Sequence, residues 1–266
     1  MIICMSVPCA DSPFAEAAPF YGFRAPYAPQ ALAYVGDVFQ LDRASRALDL
    51  GCGPGTLAIP LARMVGHVLA LDASEAMLTE GRRRGSQANV GNIEWLCTRA
   101  EEISDALGTF DVVTMGQSFH WMDRDAVLRR LAPMIVSNGG LALIGPGPRR
   151  PQESWETRAN EMIARYVGHH MRHHQMNPEP ENQPALLRSG AFSQFTVREF
   201  SMEFERDIPS IISYIYSMST SPPSAFGDRA FLFERDLTRA LLRANPSGVF
   251  KETVETAVLI ARKVGA

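Results

Sequence analysis

A short apolar stretch near residue 50 runs directly into a cluster of glycines and then into a helical pattern. Residues 46–50 have the composition of a buried strand, and Gly51, Gly53 and Gly55 follow at once. Residues 57–63 then predict a helix. A strand, a glycine turn and a helix in this order open a nucleotide-binding βαβ unit. Glycines lack Cβ atoms, so they adopt positive φ and let a ligand lie against bare backbone.

The spacing of the glycines narrows the choice of nucleotide. A dinucleotide site of the G-x-G-x-x-G type needs a third glycine where this chain has Thr56. Residues 49–56 instead resemble motif I of the S-adenosylmethionine-dependent methyltransferases with a Rossmann-like fold, Asp-x-Gly-x-Gly-x-Gly. The resemblance implies cofactor-binding roles for Asp49, Gly51, Cys52, Gly53, Gly55 and Thr56.

A second motif follows the predicted strand at residues 110–115. Residues 116–123 read Gly-Gln-Ser-Phe-His-Trp-Met-Asp. They are similar to the A-Q-A-F-H-W-F-D segment of small-molecule methyltransferases of the trans-aconitate methyltransferase type. The resemblance spans residues 21–144. It implies that Gly116 and Gln117 lie against the cofactor, and that His120 and Trp121 line the substrate pocket.

Two further turns carry predicted cofactor contacts. The predicted strand 67–71 ends at Asp72, and an acid at this place can accept two hydrogen bonds from a ribose diol. The alternative role for Asp72 is a helix N-cap, although Ser74 is the better cap. The resemblance places Ala73 and Met77 against the same ligand. In the turn after the predicted strand 93–97, this chain has Arg99 at the position where the family often has Asp. The adenine contacts that we expect are therefore Ala100 and Glu101.

The N-terminal part divides at about residue 20. Residues 1–20 are expected to form a loose leader. Residues 20–29 are similar to the Y-x-x-x-R-P-x-Y-P segment that caps the pocket in this subgroup, which makes Tyr21 and Tyr27 pocket candidates. In the alternative interpretation the two aromatic side chains only fasten this segment to the core.

The chemistry of methyl transfer assigns roles to three further groups. The nucleophile must be aligned, water excluded and any proton removed. His120 is either a general base or a structural residue of its turn. Arg149 is either a carboxylate clamp in the substrate pocket or a loop charge. The histidines between His169 and His174 have helical spacing for a metal, but no Cys, Asp or Glu supports them, and no metal site is predicted.

The whole chain is expected to adopt one α/β fold, because its 46% hydrophobic content supports a sizeable core. The prediction is a Rossmann-like, seven-stranded, mostly parallel sheet with helices on both faces and one antiparallel strand near the edge. The methyltransferase domain is expected over residues 21–266, with a substrate lid at 146–190. Elements predicted around and beyond the motifs are a turn at 138–140, strands at 141–144, 195–204 and 256–263, and helices at 31–39, 125–131, 155–167, 208–217 and 231–244.

Charge and cysteine content limit the partners. The net charge of −3 and the lack of a basic block argue against nucleic acid. No signal peptide or membrane span is predicted. Cys4, Cys9, Cys52 and Cys97 lack metal spacing and indicate a reduced, cytoplasmic protein.

The predicted function is therefore methyl transfer from S-adenosylmethionine, with S-adenosylhomocysteine as product, to a small molecule of secondary metabolism. The acceptor atom that we expect is an oxygen of a hydroxyl or carboxylate group, and the alternative is a nitrogen or a carbon. Two other classes stay open. One is a protein that binds the cofactor without methylating, and the other is a nicotinamide oxidoreductase, against which Thr56 argues.

Overall fold

Residues 15–147, 154–168 and 181–264 are described by the computed structural model, and within them seven strands form a single sheet. The strands are β1 Arg46–Leu50, β2 His67–Asp72, β3 Ile93–Cys97, β4 Phe110–Gly116, β5 Ile135–Pro146, β6 Phe192–Asp207 and β7 Val249–Lys263. Their spatial order is β3-β2-β1-β4-β5-β7-β6. β7 runs antiparallel to both β5 and β6, while the pairs from β3 to β5 are parallel. The predicted sheet, with one antiparallel strand near its edge, is confirmed.

The central strands read as short apolar runs because helices cover both of their faces. Leu48 of β1 pairs with Leu69 of β2 on one side and with Val113 of β4 on the other. All three side chains are almost completely buried. The carboxyl ends of β1, β2 and β4 therefore meet at one edge of the sheet, where ligands of such folds bind.

The helices lie on both faces of the sheet, as predicted. They are α1 Pro29–Phe39, α2 Ala58–Leu61, α3 Glu75–Gln87, α4 Arg124–Met134, α5 Ser154–Val167, α6 Asn182–Ser189, α7 Ile208–Tyr216, α8 Pro223–Phe226 and α9 Ala230–Ala244. Side chains of α1, α2 and α3 join one apolar core, and those of α4 and α6 join the core on the opposite face. Within the described residues, no helix combines the length and the apolar character that crossing a membrane requires.

The strands predicted at 195–204 and 256–263 are parts of the longer β6 and β7, and two further predictions differ from the structure in kind. The helix predicted over 57–63 is the shorter α2, because the N–H groups of Arg63 and Met64 bond to carbonyls only three residues back and tighten its end into a turn. The turn predicted at 138–140 lies inside the continuous strand β5. The pairing with β4 jumps there from Ile135 to Gly140, so the glycines form an irregularity within the strand. A Cβ at Gly140 would lie 2.3 Å from the Ala261 carbonyl oxygen, so glycine is needed for this close approach of β7.

A third apolar cluster lies apart from the two cores on the sheet faces, and we call it the helical cluster. It contains Trp155 of α5, Ile211 of α7 and Phe233 of α9, each at most 1% exposed. The predicted lid, 146–190, is described only in part. Its α5 belongs to the helical cluster, whereas its α6 packs on the sheet core. The role of this region as a lid stays a prediction.

Candidate functional site

A cleft of about 320 Å³ opens at the carboxyl ends of β1, β2 and β4. Most of the residues that the sequence nominates lie around it. They are Tyr21, Tyr27, Asp49, Gly51, Cys52, Gly53, Thr56, Asp72, Ala73, Met77, Ala100, Glu101, Gly116, Gln117 and Trp121. Residues from five separate segments of the chain therefore meet at one cavity of the size that small-molecule ligands occupy.

Three nominated residues are not among those that line this cleft. Gly55 packs against Trp95, whose ring lies 2.6 Å from the position that a Cβ would take. His120 lines a separate cavity of about 30 Å³, together with Asn182 and Val197, and Gln117 lines both cavities. Arg149 lies outside the described residues, as do the histidines between His169 and His174. Elsewhere in the part of the chain that the structure describes, no three His, Cys, Asp or Glu residues group as a metal site.

The glycine turn has the backbone shape that the sequence predicts. Gly51, Gly53 and Gly55 adopt φ values of 68°, 53° and 79°, in the left-handed region that favours glycine. The N–H groups of Gly51 and Cys52 donate to the Leu71 carbonyl, which fastens the turn to the end of β2. A Cβ at Gly53 would meet no atom within 4 Å. The backbone of Gly53 is therefore open to the cleft.

Asp49 is a buried carboxylate at the end of β1. It is 1% exposed, and its Oδ1 accepts a hydrogen bond of 2.8 Å from the Thr114 hydroxyl. Its Oδ2 is buried and has no hydrogen-bond partner among the described residues. Burial raises the pKa of Asp49 to about 7, and hydrogen bonding from the Thr114 hydroxyl and from the Ala58 N–H opposes this shift only in part. An unsatisfied carboxylate oxygen at the wall of a cleft suits a cationic ligand group.

Asp72 joins the glycine turn to the start of α3. Its Oδ2 accepts from the Gly53 N–H and its Oδ1 from the Ser74 N–H, each at 2.8 Å. An ionised carboxylate has about four acceptor positions, so Asp72 keeps acceptor capacity beyond its bonds to the backbone. Burial raises the pKa of Asp72, and the backbone N–H groups of Ser74, Gly53 and Ala73 oppose this shift. The Ser74 hydroxyl accepts from the Met77 N–H, so Ser74 is the predicted N-cap of α3.

The turn after β3 places Glu101 in a hydrogen bond that the sequence analysis did not predict. Ala100 begins a short 3₁₀ helix, Ala100–Glu102, and is 7% exposed at the cleft. The Glu101 carboxylate accepts a hydrogen bond of 3.0 Å from the Asp123 N–H, at the N-cap of α4. Glu101 therefore fastens this turn to α4 as well as lining the cleft.

The segment after β4 forms the wall between the two cavities. Gln117 adopts a φ of 52°, and its N–H donates to the Ile144 carbonyl. The Ser118 hydroxyl donates to the Leu50 carbonyl at 2.7 Å. Trp121 lies at the cleft with 56% of its surface exposed, and its ring centroid is 5.1 Å from that of His120. The exposed aromatic ring suits contact with a ligand that enters from solvent.

A segment that we call the strap, residues 18–28, lies over the cleft. It contributes Tyr21, Arg24 and Tyr27 to the lining. Burial raises the pKa values of both tyrosines, and a hydrogen bond with Gln117 opposes the shift at Tyr27. Arg24 is a cleft residue that the sequence analysis did not single out. Its place between the two nominated tyrosines was the available signal.

The cysteines differ from expectation at one position. Cys52 is a buried free thiol, and burial raises its pKa well above the ordinary value. Cys97, at the end of β3, is disulfide-bonded. The prediction that the cysteines are reduced is therefore wrong at Cys97, since spacing along a sequence does not show which thiols meet in space.

Comparisons with known proteins relate this chain to methyltransferases. Residues 47–139 match the family described as a methyltransferase domain. The chain is 34% identical over 108 residues to the ubiquinone biosynthesis O-methyltransferase of Acinetobacter baumannii (strain AYE), covering 40% of this chain and 46% of that protein. Over 114 residues it is 36% identical to the enzyme of the same name from Neisseria meningitidis serogroup C (strain 053442), covering 42% and 48%.

The fold has its own match among solved structures. A putative type II methyltransferase from Anaeromyxobacter dehalogenans superposes with a TM-score of 0.58 at 17% identity, covering 90% of this chain and 96% of that one. This likeness concerns the fold. The chain spans about half the length of the curated relatives that it matches.

Proposed function

We propose that this chain, which carries a methyltransferase domain on the Rossmann-like fold of the S-adenosylmethionine-dependent methyltransferases, transfers a methyl group from S-adenosylmethionine to a small molecule. The observation that carries the proposal is the cleft itself. It joins an open glycine turn, a buried carboxylate oxygen without a partner and a second carboxylate with acceptor positions left. The cofactor, when bound, supplies an electrophilic methyl group on a sulfonium.

The residues of the cleft fit the cofactor group by group. The remaining acceptor capacity of Asp72 suits the hydroxyls of a ribose. The Asp49 Oδ2 matches an α-ammonium group, since a cation compensates the buried charge. Met77 and Ala100 give an apolar wall for the adenine. Gly53 leaves its side of the cleft open to the ligand.

An oxygen acceptor is the form of the reaction that we favour. The two curated relatives compared are named O-methyltransferases, which supports this choice. The chain has a net charge of −3, which supports a small molecule over a nucleic acid. The task of the protein is then to align the acceptor oxygen and to exclude water around it.

His120 is our candidate for the group that takes the proton of a hydroxyl acceptor. It lines the smaller cavity beyond Gln117, so an acceptor must reach past Gln117 to meet it. A carboxylate acceptor carries no proton at neutral pH and needs no base. If His120→Ala keeps nearly full turnover with the true acceptor, the base role is excluded.

The first experiment is calorimetric titration of the protein with S-adenosylmethionine and S-adenosylhomocysteine. We expect micromolar binding of both ligands. Asp72→Ala should weaken the binding of both ligands by about 10- to 100-fold, because it removes hydrogen bonds to a charged group. Asp37→Ala, on the exposed side of α1, is the matched control and should bind as the native chain does. A native protein that binds neither ligand contradicts the proposed function.

A further inference from the structure

Helix α9 carries apolar and cationic side chains on the face that it turns to solvent, which we call the outer face. Its opposite face packs into the helical cluster, where Phe233, Leu237 and Leu241 are completely buried. The side chains of the outer face recur three or four positions apart, as residues on one side of a helix do. All of them are exposed, and they are Phe231, Leu232, Arg235, Arg239, Leu242 and Arg243.

The apolar side chains of the outer face form a patch with a neighbour on β7. Phe231 is 72% exposed, Leu242 42% and Leu232 38%. Val249, at the start of β7, is 41% exposed, and its carbonyl oxygen accepts a hydrogen bond of 2.6 Å from the side chain of Asn245 at the end of α9. Grouped apolar side chains on a surface mark a place of contact with another molecule.

The arginines of the outer face are only partly compensated by acids. Arg239 and Arg243 form no ion pair with a carboxylate of residues 15–147, 154–168 or 181–264. The two acids of α9 accept hydrogen bonds from tyrosine hydroxyls of the helical cluster, Glu234 at 2.9 Å and Asp236 at 2.7 Å. Asp236 also pairs with Arg235 at 2.8 Å. The outer face therefore keeps a net positive charge.

Two exposed arginines of neighbouring elements add positive charge beside α9. Arg229 lies directly before the helix, and its Nη2 donates to the Tyr166 carbonyl of α5 at 2.6 Å. Arg165 is the residue before Tyr166 and is also exposed. Asp228 is the acid of the short turn that precedes α9. The cationic surface thus continues from α9 to the end of α5.

We propose that the outer face of α9 lies on the surface of a bilayer that contains anionic phospholipid. Phe231, Leu232 and Leu242 enter the boundary between headgroups and acyl chains, as the apolar residues of interfacial helices do. The guanidinium groups stay at the level of the headgroups on their apolar stems and bind lipid phosphates. The helix has 15 residues and is about 22 Å long, so it lies along the bilayer.

The composition of the outer face argues against two other occupants. A second copy of this chain, paired by two-fold symmetry, would bring the arginines of both outer faces together. A nucleic acid offers phosphates, but it offers no apolar layer for Leu232 and Leu242. An anionic bilayer offers phosphates and an apolar layer at the same surface. The proposal is separate from the proposed function, because no residue of α9 lines the cleft.

The test is sedimentation of the full chain with lipid vesicles, in the absence of cofactor and acceptor. Vesicles of phosphatidylcholine alone are compared with vesicles of equal parts phosphatidylcholine and the anionic phosphatidylglycerol. Arg239→Gln/Arg243→Gln removes two charges from the outer face. Arg63→Gln/Arg129→Gln is the matched control, because both arginines are exposed on other elements and the two double variants have the same net charge.

A pair of leucines tests the apolar part of the surface. Leu242→Ala shortens a side chain of the outer face. Leu187→Ala is its matched control, because Leu187 of α6 is 57% exposed and belongs to a different element. Circular dichroism checks that each variant is folded.

We expect the native chain to sediment with the anionic vesicles and to stay in solution with phosphatidylcholine alone. Each arginine at an anionic surface contributes about 5-fold, so Arg239→Gln/Arg243→Gln should weaken binding about 25-fold. Leu242→Ala should weaken it about 3- to 10-fold. Both control variants should stay within about 2-fold of the native chain. Salt at about 1 M should also reduce binding, because it screens the charges over about 3 Å.

Four outcomes overturn the proposal. The native chain binds neither kind of vesicle, or it binds both equally, so that anionic lipid plays no part. The two double variants lose binding equally, which means that net charge alone drives attraction. Sedimentation velocity without lipid reveals a dimer that Leu242→Ala dissociates, which assigns the outer face to a second copy. None of these results depends on cofactor binding, so a failure of the proposed function is seen separately in the calorimetric titration.

Discussion

At the scale of single residues, Asp49 makes the ligand-free protein sensitive to pH. Its pKa is 3.8 in an ordinary setting and about 7 in the folded chain, because burial disfavours the charged form. The folded state therefore binds this proton more tightly than the unfolded state does. As a result, the contribution of Asp49 to stability falls as pH rises from about 4 to about 7 and is constant above that range.

Cofactor binding should favour the ionised form of Asp49, which burial disfavours in the ligand-free protein. An ammonium group beside Asp49 favours its ionised form, so S-adenosylhomocysteine should bind more tightly at pH 7.0 than at pH 5.5. Both pH values lie below the ordinary pKa of an α-amino group, about 7.7–8.0, so the ligand stays charged. Binding near pH 6.5 should release a proton, which titrations in buffers of different ionisation enthalpy measure.

Asp49→Asn is the control for this prediction, because burial also raises the pKa of Asp72 in the same cleft. The variant should bind more weakly and lose most of the pH dependence. If the native chain and Asp49→Asn show the same dependence on pH, Asp49 does not contact the ammonium group.

At the scale of elements, a buried ion pair joins the long antiparallel pair of β6 and β7 to the strap, where Arg206 donates to the Phe23 carbonyl at 2.7 Å. Arg206 of β6 and Glu252 of β7 lie 2.8 Å apart, with side chains 2% and 10% exposed. The guanidinium also lies against the rings of Trp155, Phe204 and Tyr214. A buried pair adds little net stability, but removal of one partner leaves the other charge uncompensated.

We expect Glu252→Gln and Arg206→Met each to lower the free energy of unfolding by about 3–5 kcal/mol. The double variant Arg206→Met/Glu252→Gln should cost less than the sum, because it leaves no unpaired charge. Urea denaturation followed by circular dichroism measures all three.

The neighbouring pair Lys251–Glu205 is the matched control. Its side chains are 75% and 60% exposed, with atoms 3.4 Å apart. Lys251→Ala should change the free energy of unfolding by less than about 1 kcal/mol. Additive effects of the two buried substitutions would contradict the pairing argument.

The elements also show how far sequence can predict this fold. β1 has the bounds that its apolar run predicts, because a strand buried by its neighbours is defined by local composition. β5 does not have the predicted bounds, since its irregular pairing depends on the approach of β7 at Gly140. Asp49 and Asp72 follow from a local motif, whereas Arg24 meets Ser217 across 193 positions. The motif brings His120 near the cleft, but the turn that begins at Gln117 decides which cavity it lines.

At the scale of the molecule, the helical cluster supports the cleft through α7. Phe233 of α9 is completely buried, and its ring contacts those of Tyr166, Tyr216 and Phe226. Because α7 leads directly into Ser217, this packing extends to the guanidinium of Arg24. The sequence predicts the helices of this cluster by periodicity, but their assembly into a separate core depends on long-range contacts.

Phe233→Ala should lower the free energy of unfolding by about 3–5 kcal/mol, as is usual for a buried aromatic residue. Phe231, two positions earlier in α9, is 72% exposed, and Phe231→Ala should change it by less than about 0.5 kcal/mol. Urea unfolding of the two variants measures the difference. Similar values for both would mean that the helical cluster contributes little to global stability.

The way in which the strap is fastened has a consequence for how the protein is made. The strap is synthesised early, but Ser217 and Thr256, which hold Arg24 and Ala28, follow 193 and 228 positions later. At about 5–20 residues per second, Arg24 is added roughly 10–40 s before Ser217. Once Met122 has been added, all the residues that line the cleft are present, but the partners that hold its cover are not. The closed cleft therefore requires that synthesis has reached Ser217 and Thr256.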